Sequence, residues 1–429
     1  MINNNAWPDI LAQAYGIPKN LLELAREVKN DLRDLCYLYE ELALSNQARV
    51  MEAFRAANLS SMHLAGSTGY GYDDPGREKT SQIYARVFGA SKALVSPHLL
   101  SGTHALTVSL FGVLRPGDRV LSLTGAPYDT LESVLGIRPT VGSLAEYGVD
   151  YRQCVAEELD DAQLAQILAP PVKLAYIQRS GGYSERAALS IEDLKQMVER
   201  VKKLAPEVVV LVDNCYGEFV ETREPGHVGA HLTAGSLIKN PGGGLAENGG
   251  YVVGEEDLVE QVAGRLSVPG QGSEVGSYLP GYRNFLQGLF TAPSVVAGAL
   301  QGAAFAARFF EKLGFRVRPS AEAVRSDIIQ GLELESARAL RGFCRGIQKA
   351  SPVDAQAHPE PWDMPGYEQQ IIMAAGTFIQ GASIEVTADA RFAPPYTVYL
   401  QGGLSYQHVQ CAILIAASEL VADGCLPPR

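Results

Sequence analysis

Residues 208–219 read "VVVLVDNCYGEF", and the first five of them carry the fold. Five consecutive β-branched or leucine side chains leave no polar face, so this stretch predicts a strand covered on both sides rather than one lying on a solvated sheet. Apolar runs of the same kind recur on either side: "KALVS" at 92–96, "DRVLSL" at 118–123, "VKLAYIQ" at 172–178, "GSLI" at 235–238 and "GGYVVG" at 249–254. Helical stretches alternate with them, the plainest being the amphipathic "SIEDLKQMVERVKKL" at 190–204. Strands alternating with helices predict an α/β fold with a mostly parallel central sheet.

Farther out the pattern changes. Between residues 20 and 57, Leu21, Leu22, Leu24, Val28, Leu32, Leu35, Leu38, Leu42 and Val50 fall at helical spacing among acids and bases, which predicts an N-terminal helical arm over 1–57. The α/β pattern then predicts a large domain over 58–295. Beyond it come a long Ala/Gly-rich helix, shorter strand candidates and the closing helix "YQHVQCAILIAASEL", read as a smaller C-terminal α+β domain over 296–429. "SPVDAQAHPEPWDMPGYEQQ", at 351–370, is the most loop-like part.

Bulk properties narrow the chemistry. The chain has 429 residues, a formal net charge of −12 and a pI near 5.2, which gives no electrostatic case for nucleic acid or an anionic membrane as partner. Six cysteines, Cys36, Cys154, Cys215, Cys344, Cys411 and Cys425, lie scattered without C-x-x-C or zinc-site spacing, so no metal is expected and a reduced, cytoplasmic protein fits. The start "MINNNAWPDI" has neither the basic nor the apolar region of a signal peptide, and no membrane span is expected. Absence of H-E-x-x-H, a Walker A loop and a G-x-S-x-G elbow removes common hydrolase and nucleotidase readings.

Three polar features punctuate this frame. Asp213 ends the 208–212 strand, and an ionised carboxylate in such a place needs a cation; a turn or helix-capping aspartate is the plainer alternative. Lys239 follows 26 residues later, room for one crossover and one further strand, and stands alone among small and apolar residues in "GSLIKNPGGGLAENGGYVVG" (235–254). Both then face the carboxyl edge of the sheet, where open α/β folds bind ligands. In "SPHLLSGTHALTVSLFGVL", Ser101, Gly102 and Thr103 open a helix whose free amides and dipole suit a phosphate. A phosphate cradle, a buried carboxylate and an isolated lysine are together what pyridoxal 5′-phosphate (PLP) requires.

The order S-G-T, V-D-N-x-Y-G, G-S-x-x-K resembles the fold type I, aspartate-aminotransferase-like PLP enzymes. "VDNCYGEFVE", "GSLIKNPGGGLAENGGYVVG", "GAPYDTLESVLGIR" and "YLQGGLSYQH" are similar to the methionine γ-lyase-like family, also labelled aluminium-resistance or cystathionine β-lyase-like, over residues 20 to 420. The resemblance implies that Lys239 forms the Schiff base with the cofactor, Asp213 pairs with the pyridine nitrogen, Ser101, Gly102, Thr103 and Ser236 bind the phosphate, and Tyr128 stacks on the ring. It also implies that a tyrosine–arginine pair reaches a neighbouring subunit's phosphate site, a role open here to Tyr70, Tyr72 and Arg77. The substrate carboxylate would meet an arginine, Arg391 or Arg179. Two departures stand out: Ile238 replaces a threonine before the lysine, and Arg77 lies farther from Tyr70 and Tyr72 than in related lyases.

The expected reaction is a carbon–sulfur lyase acting on a small sulfur amino acid, with γ-elimination from methionine or homocysteine giving a 2-oxo acid and ammonia. Cystathionine β-lyase chemistry, γ-replacement, aldol cleavage and transamination start from the same Cα step and stay open. So does a non-catalytic binding protein on the same fold, although such a protein has no chemical reason to keep Lys239, Asp213, Ser236 and Tyr128 together. A homo-oligomer, a dimer of dimers, is implied by the resemblance.

Overall fold

A computed structural model of the chain describes residues 6–364 and 367–426. It opens with three helices, α1 (Trp7–Tyr15), α2 (Lys19–Asp31) and α3 (Arg33–Ala56). α2 buries Leu21, Leu22, Ala25 and Val28, the one-face spacing seen in the sequence. There follow α4 (Pro75–Val87), β1 (Lys92–Ser96), α5 (Gly102–Val113), β2 (Arg119–Ser122), α6 (Asp129–Leu135), β3 (Asp150–Gln153), α7 (Asp161–Leu168) and β4 (Val172–Gln178). Next come α8 (Ile191–Leu204), β5 (Val209–Asp213), β6 (Leu232–Ser236), β7 (Gly250–Gly254) and α9 (Glu256–Leu266). The remainder is α10 (Arg283–Leu313), β8 (Arg316–Arg318), β9 (Gln330–Glu333), α11 (Ala337–Ala350), β10 (Ile371–Ala374), β11 (Thr387–Arg391), β12 (Thr397–Gln401) and α12 (Tyr406–Ala422).

The chain divides into two units, Ser45–Pro293 and the combination of Met1–Leu44 with Ser294–Arg429. Residues 6–44 therefore group with the C-terminal part and form no separate arm. Their attachment is chemical as well as apolar: Lys312 pairs with Glu27 and Asp31 of α2, and Gln301 donates to the carbonyl of Cys36.

The Ser45–Pro293 unit is built on a seven-stranded sheet in the order β1-β7-β6-β5-β4-β2-β3. β3, β2, β4, β5 and β6 run parallel, while β7 is antiparallel to both of its neighbours, β6 and β1. β5 has no exposed residue, and its side chains feed two separate apolar clusters, Val209 and Leu211 on one face and Val210 and Val212 on the other. That two-sided cover is what the unbroken 208–212 run required. The other unit carries an antiparallel five-stranded sheet, β10-β11-β12-β9-β8. α10 is long and apolar enough to cross a membrane, yet 78% of its most apolar window is buried inside the protein, as in a core helix.

Candidate active site

β5 and β6 pair in parallel with Asp213 opposite Ala234, so both strands deliver their carboxyl ends to the same edge of the sheet. Asp213 closes β5 and is buried; Ser236 closes β6 and is buried; Lys239 follows three residues later and is half-buried. The start of α5 reaches the same place. A Cβ on Gly102 would stand 2.9 Å from Cys215 Sγ and 3.4 Å from Ser236 Cβ, so the absence of a side chain there lets the helix start close on the ends of β5 and β6.

The hydrogen bonds show what is committed and what is open. Ser101 Oγ accepts from His104 N at 3.1 Å and is thereby an N-cap. The amides of Gly102 and Thr103, in the first turn, donate to nothing among the described residues, and the Ser236 hydroxyl is likewise uncommitted. Tyr128 precedes α6 and donates its hydroxyl to Thr103 Oγ1 at 3.0 Å. Asp213 Oδ1 accepts from Cys215 N at 3.1 Å and Oδ2 from the Tyr176 hydroxyl at 3.3 Å.

Burial sets the electrostatics. It pushes the Asp213 carboxyl above the ordinary aspartate range, and Lys239 with the Cys215 amide and Tyr176 hydroxyl pulls back without cancelling it. The carboxylate thus lacks full compensation and calls for a further cation. Burial alone would lower the Lys239 ammonium; Cys215, Tyr216 and Asp213 outweigh it and drive the group upward. The Tyr128 phenol is pushed well above its usual value by burial and by Asp213, and stays protonated.

PLP fits this donor set. Asp213 meets the need of a pyridinium for an anion, the free amides of Gly102 and Thr103 with the Ser236 hydroxyl suit a phosphate, and Lys239 supplies the amine. Ile238, beside the lysine, offers no hydroxyl to such a phosphate.

Other predicted residues lie elsewhere. Arg179 has no exposed surface; its guanidinium donates to Leu189 O, Asn214 Oδ1, Gly217 O and Glu221 Oε1. The expectation that it binds a substrate carboxylate is corrected accordingly, because these partners occupy it in bracing the turn behind Asp213. Arg77 is also buried, donating to Gly71 O at 2.7 Å, Glu274 O at 3.1 Å and Gly276 O at 3.3 Å. It clamps its own loop, whereas Tyr70 and Tyr72 are 73% and 56% exposed with their rings 5.6 Å apart. Arg391 ends β11 in the other unit, with its side chain exposed.

The sequence reading missed four neighbours of the site. Tyr176 reaches Asp213 from the neighbouring strand β4. Asn240 Nδ2 donates to the carbonyls of Tyr216 and Glu218. Glu218, fully buried beside Gly235, has its carboxyl raised to about 8 by burial. Tyr216 places its ring under the Lys239 ammonium, 3.7 Å from the centroid; nothing in "VDNCYGEF" shows that geometry.

The family model described as methionine gamma-lyase matches residues 21–421 of the chain. YnbB of Bacillus subtilis (strain 168) is 48% identical over 406 residues, 94% of this chain and 96% of YnbB. A crystal structure of a carbon-sulfur lyase involved in aluminum resistance from Clostridium novyi NT superposes with a TM-score of 0.92 at 44% identity, covering 98% of this chain and 100% of that one. The apo structure of a methionine gamma lyase from Micromonospora echinospora superposes with a TM-score of 0.54 at 18% identity, over 83% of this chain and 93% of that one, a likeness of fold alone.

Proposed function

This chain belongs to the methionine gamma-lyase family of fold type I, PLP-dependent carbon–sulfur lyases, and on that premise we propose that it releases a thiol from Cγ of methionine or homocysteine. Methionine and water would give methanethiol, 2-oxobutyrate and ammonia. The observation that carries the reading is the convergence of Lys239, Asp213, Tyr128 and the open start of α5 at one edge of the sheet.

Each side chain has a task suited to its surroundings. Gly102, Thr103 and Ser236 would hold the phosphate, Asp213 would keep the ring nitrogen protonated, and Tyr128 would line the ring's place. PLP, when bound, supplies an electron sink for the pair left at Cα. Lys239, as a free amine, would carry the Cα proton as a general base. γ-Elimination requires a second proton transfer, at Cβ, which a lysine side chain on a flexible stem reaches as well. The Tyr128 hydroxyl, kept protonated by burial, would turn from Thr103 to donate to the departing sulfur. Arg391 is our choice for the substrate carboxylate, now that Arg179 is committed elsewhere.

The exposed Tyr70 and Tyr72 fit a loop that completes a neighbouring subunit's phosphate site, and we place the active unit at a dimer or a dimer of dimers in the cytoplasm. The six cysteines are all free, which suits a reducing compartment. The decisive assay gives purified holoenzyme methionine, homocysteine, cysteine, cystathionine and O-acetylhomoserine, and follows 2-oxobutyrate and pyruvate. Pyruvate from cystathionine without 2-oxobutyrate from methionine would replace Cγ chemistry with Cβ chemistry. Neither oxo acid from any sulfur substrate, with Cα proton exchange intact, would end the lyase reading.

A further inference from the structure

Tyr216 combines three features that the reaction as derived does not use. It is a bulky residue held at φ 73°, in the left-handed region that side chains other than those of glycine and asparagine avoid. Its carbonyl accepts from Asn240 Nδ2 at 3.0 Å, and the same amide nitrogen donates to Glu218 O at 2.9 Å, so the residue after Lys239 pins both sides of the strained turn. The turn so held presents the ring face to Lys239 Nζ, 3.7 Å from the ring centroid. Strain, clasp and ring placement are separate observations with one geometric result.

We propose that Tyr216 is a catalytic residue whose ring face seats the Lys239 ammonium whenever that amine is not bonded to the cofactor, and so sets the pH at which the amine becomes a nucleophile. This rests on the assignment of Lys239 as the cofactor-binding lysine. An aromatic face attracts a cation through the ring quadrupole and has little to offer a neutral amine, so it favours the protonated form selectively. The groups that face Lys239 are Asp213 and Cys215 at the end of β5, Tyr216 and Glu218 in the following turn, and Tyr128 at the head of α6. Burial pushes the Cys215 thiol and the Tyr128 phenol well up and raises the Glu218 carboxyl to about 8. Cys215, Tyr216 and Asp213 favour the ammonium, and of these Tyr216 alone offers it a ring face.

The test uses the full chain freed of cofactor. PLP is added across a pH series, borohydride stops the reaction, and the pyridoxyl group on Lys239 is quantified by peptide mass spectrometry to give the rate of covalent capture. Tyr216→Leu removes the face. Tyr216→Asn also removes it but tolerates the left-handed backbone, which guards against loss through misfolding. Tyr216→Phe keeps the face. With Leu or Asn the midpoint of capture falls by about 0.5 to 1.5 pH units, and capture below the midpoint quickens about 3- to 30-fold; with Phe the profile stays near wild type. Unchanged midpoints in both Leu and Asn variants, with capture still on Lys239, would overturn the proposal. A shift in Phe as large as in Leu would overturn it too, by assigning the effect to the hydroxyl. Capture on a different lysine in the wild-type chain refutes the assignment of Lys239 instead.

Discussion

Burial raises the pKa of both Asp213 and Tyr128, with opposite chemical consequences. For the carboxylate it means an anion lacking full compensation, which a pyridinium can supply; for the phenol it means a proton that stays in place to be donated. Replacing Asp213 with Ala therefore removes the charge while leaving the α5 amides and Ser236 intact. We expect turnover to fall by about 10²-fold or more, while borohydride still fixes PLP on Lys239. Lys239→Ala should abolish that fixation. Tyr128→Phe keeps the ring and loses the donor, so kcat should fall by about 10²- to 10⁴-fold, and less for substrates with a better thiolate leaving group. Because the Tyr128 pKa lies well above its ordinary value, wild-type kcat should show no alkaline loss from this residue below about pH 10. Asp213 and Lys239 were legible in the sequence because each is a charged residue that an apolar strand or glycine run makes conspicuous, the S-G-T helix start because hydroxyls open a helix there, and Ser236 only through the family resemblance. Tyr216 and Tyr176 were not, since an aromatic residue in a core stretch carries no mark of what its hydroxyl or ring face meets. Arg179 misled for a related reason: an arginine at a strand end looks the same whether its guanidinium faces a substrate or, as here, Asn214, Glu221 and two carbonyls.

At the scale of elements, the turn between β5 and β6 connects the site to the back of the sheet. Gly235 in β6 leaves room there: a Cβ would lie 2.7 Å from Glu218 Oε1 and 2.6 Å from the Tyr251 ring. Tyr251, from β7, donates its hydroxyl to Glu218 Oε1 at 2.9 Å, while Oε2 has no partner among the described residues. The Glu218 carboxyl is raised by burial from its model-peptide range to about 8, so between those values the folded chain holds a proton that the unfolded chain has released. Stability from this group is thus complete below the unfolded pKa and declines as pH rises, until the folded carboxyl itself ionises near 8. The slope is at most about 1.4 kcal/mol per pH unit. Glu218→Gln, a neutral isostere, should flatten the pH dependence of the denaturant midpoint from about pH 5 to 8, and an unaltered slope would show that Glu218 is ionised in the fold. Elements were otherwise the most legible level. The unbroken apolar run of β5 and the amphipathic α8 follow directly from residue spacing, and both sit where the spacing predicts. The N-terminal helices were legible as helices but not in their allegiance, because the face of Leu21, Leu22, Ala25 and Val28 states that something covers it without stating what.

For the whole molecule, the open matter is whether one chain makes a complete site. The loop from Gly66 to Arg77 is fixed within its own chain at both ends: Asp74 caps α4 by accepting from Gly76 N and Arg77 N, Tyr282 donates to Asp74 at 3.1 Å, and Arg77 ties Gly71 to Glu274 and Gly276. Such anchoring presents the two tyrosines of the loop tip outward, 5.6 Å ring to ring. Two large exposed aromatics side by side suit an interface, and a phosphate site in a second copy gives their hydroxyls an anion to meet. If so, a dimer mixed from Lys239→Ala chains and Tyr70→Ala/Tyr72→Ala chains contains one site with both its lysine and its donated tyrosines. The double variant leaves Arg77 and Asp74 untouched, so the loop keeps its anchors and the loss is confined to the tip. Each variant alone should be inactive or nearly so, and co-refolded mixtures should recover up to about a quarter of wild-type activity, since half of the dimers are hybrid and each hybrid has one intact site of two. Mixed dimers demonstrated by mass, with no recovered turnover, would mean that each site is built within a single chain and that Tyr70 and Tyr72 serve another contact.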